Sequence, residues 1–451
     1  MMRFDEAVQA LHGAQLRGDG AVRFEAVSTD SRKLARGDLF VALRGPRFDG
    51  HAHAAEAVAA GAAGVVVDHA VAVSVPQLVV PDTKTALGEL AKYWRHQFAL
   101  PVIAVTGSNG KTTVTQMLAG ILAAAVGPAH RWATQGNFNN DIGLPLMVLG
   151  LRAEHRMAVF ELGMNQPGEI AHLAAIARPH VALVNNAQRE HQAFFASAQE
   201  TAVENGAVIA ALPDSGVAVF PAQDPCAPIW RRLAGARRVC DFSMDGGAAV
   251  TARRVQEAPG HSVLAIESDV GGFEVVLKCS GQHMLHNALA ATACALALGI
   301  APADVAGGLA AFEPVSGRGQ TRVLSSGALL IDDSYNANPD SVRAAIDFLM
   351  HSPPPCTLIL ADMGEVGAHG PAFHREVGDY ARTQGVGCLL AVGEATRETV
   401  LAFGKGATHF EQLPELIERA RIEATKGGTL LVKGSRFMRM ERVVDALAGV
   451  H

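Results

Sequence analysis

Thr106-Gly107-Ser108-Asn109-Gly110-Lys111-Thr112-Thr113 sets two glycines, a lysine and several hydroxyls between an apolar run, Val102-Ile103-Ala104-Val105, and a helical pattern opening near Lys111. Such a junction suits a polyphosphate. Glycines let the backbone wrap closely, so that N–H groups and the helix N-terminus face phosphate oxygens. Lys111 would neutralise the β and γ phosphates, and Thr112 would offer its hydroxyl to Mg²⁺. Gly107, Ser108, Asn109, Gly110, Lys111, Thr112 and Thr113 are therefore the expected ATP-binding residues. The Gly-x-x-Gly-Lys-Thr spacing is two residues shorter than Gly-x-x-x-x-Gly-Lys, which argues against an ordinary P-loop kinase or GTPase.

Two further residues have metal-binding chemistry. Glu161 ends the apolar run Ala158-Val159-Phe160. If that strand neighbours Val102–Val105, the carboxylate faces the phosphate loop, where a hard oxygen ligand would hold Mg²⁺. A solvated strand-end residue is the plain alternative. His191 follows the strand candidate Val181 to Asn185 after a short polar loop. Alone, such a histidine is more often structural.

The elements that must position these groups alternate between strand and helix. Residues 1–83 read as a small α/β unit with strands at Leu39–Leu43, Val65–Val67 and Leu78–Val80 around a helix near Ala54–Ala60. Residues 84–314 open with a helix over Lys84–Phe98 and read as a central ATP-binding domain with a parallel sheet, its strands at Val102–Val105, Met157–Leu162 and Val181–Asn185. Residues 315–451 alternate regularly, with strands at Ala328–Asp332, Thr357–Ala361, Gly387–Val392 and Thr429–Lys433, as in a Rossmann-like domain. The expected class is α/β in three domains.

Composition agrees: 451 residues, 49% apolar and 18% charged, describe a folded globular chain of about three domains. A net charge of −6 gives no footprint for nucleic acid. The six cysteines form no Cys-x-x-Cys pair, which fits free thiols in a reducing compartment. The first residues carry acids where a signal peptide needs a basic region. The longest apolar stretch, Ala288 to Ala301, is too short to span a bilayer. A cytoplasmic protein without membrane insertion is expected.

Taken together, the motifs resemble the Mur ligases, ATP-dependent amide-forming enzymes of peptidoglycan precursor synthesis that are similar to folylpolyglutamate synthases. The resemblance rests on the phosphate loop, Glu161-Leu162-Gly163-Met164-Asn165, Asn185-Asn186 with His191, Gly281-Gln282-His283 with Asn287, and Gly317-Arg318, in that order. Asp332-Asp333-Ser334-Tyr335-Asn336-Ala337-Asn338-Pro339-Asp340-Ser341 looks like the signature of the branch that adds D-alanyl-D-alanine to UDP-N-acetylmuramoyl-tripeptide. Thr29-Asp30-Ser31-Arg32, Asp49-Gly50-His51, Gly136-Asn137-Phe138-Asn139-Asn140 and Lys433-Gly434-Ser435-Arg436 resemble the same branch. An Asn-Pro-Arg motif, typical of the diamino-acid-adding branch, is absent from the sequence.

The resemblance implies an acyl-phosphate route with ATP and two Mg²⁺ ions and no protein nucleophile. It implies Lys111, Glu161 and His191 as the catalytic group, with Thr112 and Glu161 on the first ion and His191 on the second. Asn287 and Asn336 would recognise adenine, Arg318 the phosphates and Asp333 the ribose. Ser31, Arg32, Asn139 and Asn140 would contact the UDP-sugar substrate, and a monomer is expected. Simpler readings stand beside these: a turn before Pro339 for Asn336 and Asn338, an N-cap for Ser31 and a loop salt bridge for Arg32. Another acceptor within the family, folylpolyglutamate synthesis, and a binding protein that uses ATP only to close its domains remain as alternatives.

One departure is plain. Family members commonly carry a lysine about fourteen residues after the metal-binding histidine, whose carbamate helps fix the second ion. Here that place holds Asn205, and none of the eight lysines lies between Lys111 and Lys278. No carbamylated lysine is expected, and a nearby acid such as Glu204 is the candidate replacement.

Overall fold

The computed structural model describes residues 1–451 except Arg47, His191, Ala193, Pro259, Val450 and His451. Its elements group into sheets that follow the chain. The N-terminal sheet runs Gln15–Arg17, Gln77–Val79, Gly64–Val67, Leu39–Val41, Val27–Ser28, parallel except at its first pair. Val65 and Val67 pack with Phe40, Ala54 and Ala57, so the Ala-rich helix covers one face of this small sheet.

The central sheet has the order Arg131–Ala133, Met157–Glu161, Val102–Thr106, Val181–Val184, Val217–Val219, Arg238–Val239, parallel throughout. Its middle strand, Val102–Thr106, is fully buried, as expected for a continuous apolar run covered on both faces. Residues 102 and 104 face one core and residues 103 and 105 the other. The chain leaves this strand at the point where the strand order reverses, the place where open parallel sheets bind ligands. The phosphate loop therefore stands at the switch point.

An antiparallel sheet that the sequence reading did not anticipate follows, formed by Val250–Ala258, His261–Glu267 and Phe273–Leu277, with Phe242–Ser243 alongside. Leu264, Ile266, Val275 and Leu277 alternate inward and share one core with the helix Gln282–Ala297. That helix holds most of the long apolar stretch. Its burial in a core on nearly every side explains an apolar run with no membrane role. Among the described residues, no helix is long and apolar enough to cross a membrane.

The C-terminal sheet has the order Gln320–Val323, Leu329–Asp333, Thr429–Lys433, Cys356–Ala361, Cys388–Val392, Ala407–Phe410, with one antiparallel edge pair. Helices Pro339–Met350 and Gly370–Gln384 follow the strands Leu329–Asp333 and Cys356–Ala361. The first is fixed at its start: the Asn338 side chain accepts from Ser341 N at 2.8 Å, a cap that contributes about 1 kcal/mol. All six cysteines are free, and all but Cys388 are buried.

Candidate active site

The phosphate loop is built by its neighbours as much as by its glycines. Gly107 and Gly110 have φ of +128° and +84°. A Cβ on Gly110 would lie 2.3 Å from Asn287 Oδ1 and 2.5 Å from Asn185 Nδ2, so only glycine fits there. Ser108 N donates to Asn186 O at 3.1 Å, and Asn109 N to Asn186 Oδ1 at 2.9 Å. These N–H groups thus serve the protein. The helix Lys111–Val126 opens at Lys111. Its first N–H groups have no intrahelical acceptor and carry the positive end of the helix dipole. They are the groups presented to an anion.

Lys111 folds back over the loop. Its Nζ donates to Gly107 O at 2.5 Å, to Ser108 O at 3.1 Å and to Glu190 Oε1 at 3.0 Å. The ammonium is held at the loop before any phosphate arrives.

Glu161 lies opposite. The strands pair in parallel with Val105 beside Glu161, as the sequence argument required. Its Oε1 accepts from Thr112 Oγ1 at 3.1 Å and from Asn139 Nδ2 at 2.7 Å. The residue is 2% exposed, and Oε2 has no hydrogen-bond partner among the described residues. A buried polar atom left this way costs roughly 1–3 kcal/mol, more when charged. A hard divalent cation fits that unsatisfied oxygen together with the Thr112 hydroxyl.

A cleft of about 1680 Å³ joins these groups to the C-terminal sheet. Asn287, Arg318, Asp333 and Asn336 all line it. Asn287 Oδ1 accepts from Asn185 Nδ2 at 2.9 Å. Asp333 accepts from Lys433 Nζ at 2.6 Å, across a strand pair that sets the two residues side by side. The Arg318 guanidinium lies 4.1 Å from the centre of the Tyr335 ring. Asp224 and His286 also line the cleft. Burial pushes the Asp224 carboxyl up and the His286 imidazole down, so both are shifted toward their neutral forms.

The residues expected to contact the UDP-sugar are divided between the cleft and the N-terminal unit. Asn139 and Asn140 line the cleft, but Asn139 bonds Glu161, and Asn140 Oδ1 accepts from Ile142 N and Gly143 N beside the helix Gly143–Leu149. Ser31 and Arg32 lie in the N-terminal unit and do not line the cleft. Arg32 is paired with Asp30 at 2.9 Å, which matches the loop salt bridge. His191 lies outside the described residues. Glu204, the candidate replacement ligand, requires a correction. Its two oxygens accept from Gly168 N at 2.8 Å and Ile170 N at 2.9 Å, where they cap the helix Glu169–Ala177.

Asn205 is buried on the helix Ala198–Ala210, and its Oδ1 accepts from Thr106 Oγ1 at 2.7 Å and from Gly107 N at 3.2 Å. A neutral amide therefore braces the phosphate loop from the helix on which a carbamate would otherwise stand. Turnover should not respond to bicarbonate. Initial rates in CO₂-depleted buffer, with and without added bicarbonate, should agree, and stimulation by bicarbonate would contradict the role given to this amide.

Comparison with known proteins extends the geometry over the whole chain. Residues 23–95 match the model described as "Mur ligase family, catalytic domain", residues 105–295 the "Mur ligase middle domain", and residues 317–436 the "Mur ligase, glutamate ligase domain". The chain is 39% identical, over 94% of each chain, to the UDP-N-acetylmuramoyl-tripeptide--D-alanyl-D-alanine ligase of Escherichia coli. A crystal structure of MurF from Acinetobacter baumannii superposes with a TM-score of 0.92 and 34% identity, covering 99% of this chain and 98% of that one. The MurF ligase of Thermotoga maritima, solved in complex with ADP, gives a TM-score of 0.83 at 26% identity, covering 95% and 98%.

Proposed function

The chain belongs to the Mur ligase family, and on that premise we infer that it is an ATP-dependent ligase joining D-alanyl-D-alanine to UDP-N-acetylmuramoyl-tripeptide. The products are UDP-N-acetylmuramoyl-pentapeptide, ADP and phosphate, and the reaction serves peptidoglycan precursor synthesis. The observation that carries this reading is near-full-length identity to a ligase of that name, joined to a phosphate loop that faces a buried carboxylate.

A carboxylate is a poor acyl donor, since its leaving group would be oxide. Activation comes from attack of the tripeptide's terminal carboxylate on the γ-phosphate, which gives an acyl phosphate and ADP. The dipeptide amine then attacks the acyl carbon, and the tetrahedral intermediate expels phosphate. In the first step two anions must meet. Lys111, already held at the loop, neutralises the phosphoryl oxygens, while the helix N-terminus from Lys111 to Thr113 orients them. Thr112 and Glu161 would hold a Mg²⁺ ion, which supplies charge compensation on the phosphates. A second ion is assigned to His191.

On the opposite wall, Arg318 is assigned to the phosphates, Asp333 to the ribose and Asn336 to adenine, and Asn287, beside Gly110 of the phosphate loop, is also assigned to adenine. All four line the same cleft as the loop. Ser31, Arg32, Asn139 and Asn140 are assigned to the UDP-sugar, Asn139 with the added role of orienting Glu161. A monomer is taken as the working unit. The free cysteines support a reducing, cytoplasmic setting.

Incubation with ATP, UDP-N-acetylmuramoyl-tripeptide and D-alanyl-D-alanine should release one phosphate per product, with the mass of the dipeptide less water added to the tripeptide. Phosphate release without that gain would overturn the acceptor assignment.

A further inference from the structure

The tripeptide Gln188-Arg189-Glu190 touches both walls of the cleft. Gln188 N donates to Ser108 Oγ at 2.9 Å, and Glu190 pairs with Lys111, so two of the three residues fasten to the phosphate loop. Arg189, between them, turns the other way. Its backbone N and its Nη2 reach Asp340 at 2.9 and 2.6 Å, while Nη1 and Nη2 reach Glu376 at 2.7 and 2.8 Å. The guanidinium lies 5.1 Å from the centre of the Phe373 ring. Glu376 also accepts from Arg343 at 3.2 Å, so Asp340, Arg189, Glu376 and Arg343 form a row of alternating charge.

Asp340 lies in the first turn of the helix Pro339–Met350, and Glu376 on the helix Gly370–Gln384, so one side chain grips two helices of the C-terminal unit. The three side chains are only 22–34% exposed. Beside them, Asn338 Nδ2 donates to Asn109 Oδ1 at 3.0 Å, a second link from the phosphate loop to the same helix start.

We propose that Arg189 is a positioning residue that clasps the C-terminal unit onto the phosphate loop and thereby aligns the two half-sites for one ATP before the nucleotide binds. Arginine suits this task because its planar fork meets two carboxylates at once, which the point charge of lysine does not reproduce. The hydrogen bonds from Arg189 hold the Glu376 carboxyl below its ordinary range. ATP that touches both walls binds only the aligned arrangement, and its apparent affinity scales with the fraction of molecules in that arrangement. Losing the clasp lowers that fraction without altering the groups on the phosphates. Saturating ATP restores it.

The inference rests on the reading that one ATP spans both walls, and wild-type ATP binding is measured first to separate the two. A wild-type chain that bound no ATP would overturn both. With binding established, Arg189→Ala is expected to raise the KM for ATP by about tenfold, between the effects of exposed and fully buried ion pairs. Its kcat at saturating ATP should stay within about twofold of wild type on the same population argument. Arg189→Glu should raise KM further. The double variant Arg189→Glu/Asp340→Arg, which restores the pair between positions 189 and 340 but leaves a like charge facing Glu376, should recover part of the loss seen in Arg189→Glu. Small-angle scattering of nucleotide-free Arg189→Ala should show a larger radius of gyration that contracts on adding ATP. A lowered melting temperature with unchanged KM would reduce Arg189 to a structural pair and overturn the proposal, as would a loss of kcat at constant KM.

Discussion

Lys111→Ala is expected to lower kcat/KM by about 10³-fold, with a melting temperature close to wild type. The size follows from the first chemical step, in which a carboxylate must approach a polyphosphate. Lys111 is the lysine of the phosphate loop, and Lys433, the other lysine lining the cleft, is bound to Asp333 across the C-terminal sheet. Removing a charge aimed at developing phosphoryl charge costs transition-state stabilisation, which binding elsewhere does not replace. The ammonium of Lys111 rests on two loop carbonyls and one carboxylate. A guanidinium is too wide and flat for that seat, so Lys111→Arg should recover nucleotide binding more than rate. Steady-state kinetics with both substrates varied checks this. Retention of more than about a tenth of the wild-type kcat/KM in Lys111→Ala would show that charge compensation comes from elsewhere.

Glu161→Gln should separate activity from stability. The substitution keeps the size of the side chain and an oxygen for Thr112 or Asn139, but it removes a charge that is 2% exposed and has one oxygen without a partner among the described residues. Without Mg²⁺ the variant should melt at or above the wild-type temperature, because a buried carboxylate without full pairing is destabilising. Its activity should fall by about 10²–10³-fold, and the Mg²⁺ concentration giving half-maximal rate should rise by about tenfold or more. Calorimetry of the metal-free protein, paired with a Mg²⁺ titration of the rate, reads both effects. A variant that melted lower and kept its Mg²⁺ dependence would make Glu161 a structural residue.

What could be read from sequence was what is local in the chain. The phosphate loop announces itself because strand, glycines, lysine and helix occur within a dozen residues, and Glu161 because it ends an apolar run. Even there, the sequence could not tell which N–H groups face the ligand. Those of Gly107, Ser108 and Asn109 are taken by Asn205 and Asn186, residues far along the chain. The antiparallel sheet from Val250 to Leu277 was missed because strands such as Val250–Ala258 expose much of their length, so few apolar side chains mark them.

Long-range pairing was the other gap. Arg189 meets Asp340 and Glu376 at separations of 151 and 187 residues, and no spacing rule reaches that far. Glu204 looked like a spare acid near a metal. A helix start 34 to 36 residues earlier in the chain claims both of its oxygens. Asn205 looked like a loss when read as an absent lysine. In the fold it is the residue that ties a distant helix to the first glycine of the loop.

The central claim is that this cleft transfers the γ-phosphoryl group to a peptide carboxylate and then exchanges it for an amine. Labelling both oxygens of the tripeptide's terminal carboxylate with ¹⁸O tests it most directly. One labelled oxygen should leave in the released phosphate and the other should remain in the new amide, in step with pentapeptide formation and only when D-alanyl-D-alanine is present. Released phosphate carrying no label would contradict an acyl phosphate and the role given to the cleft.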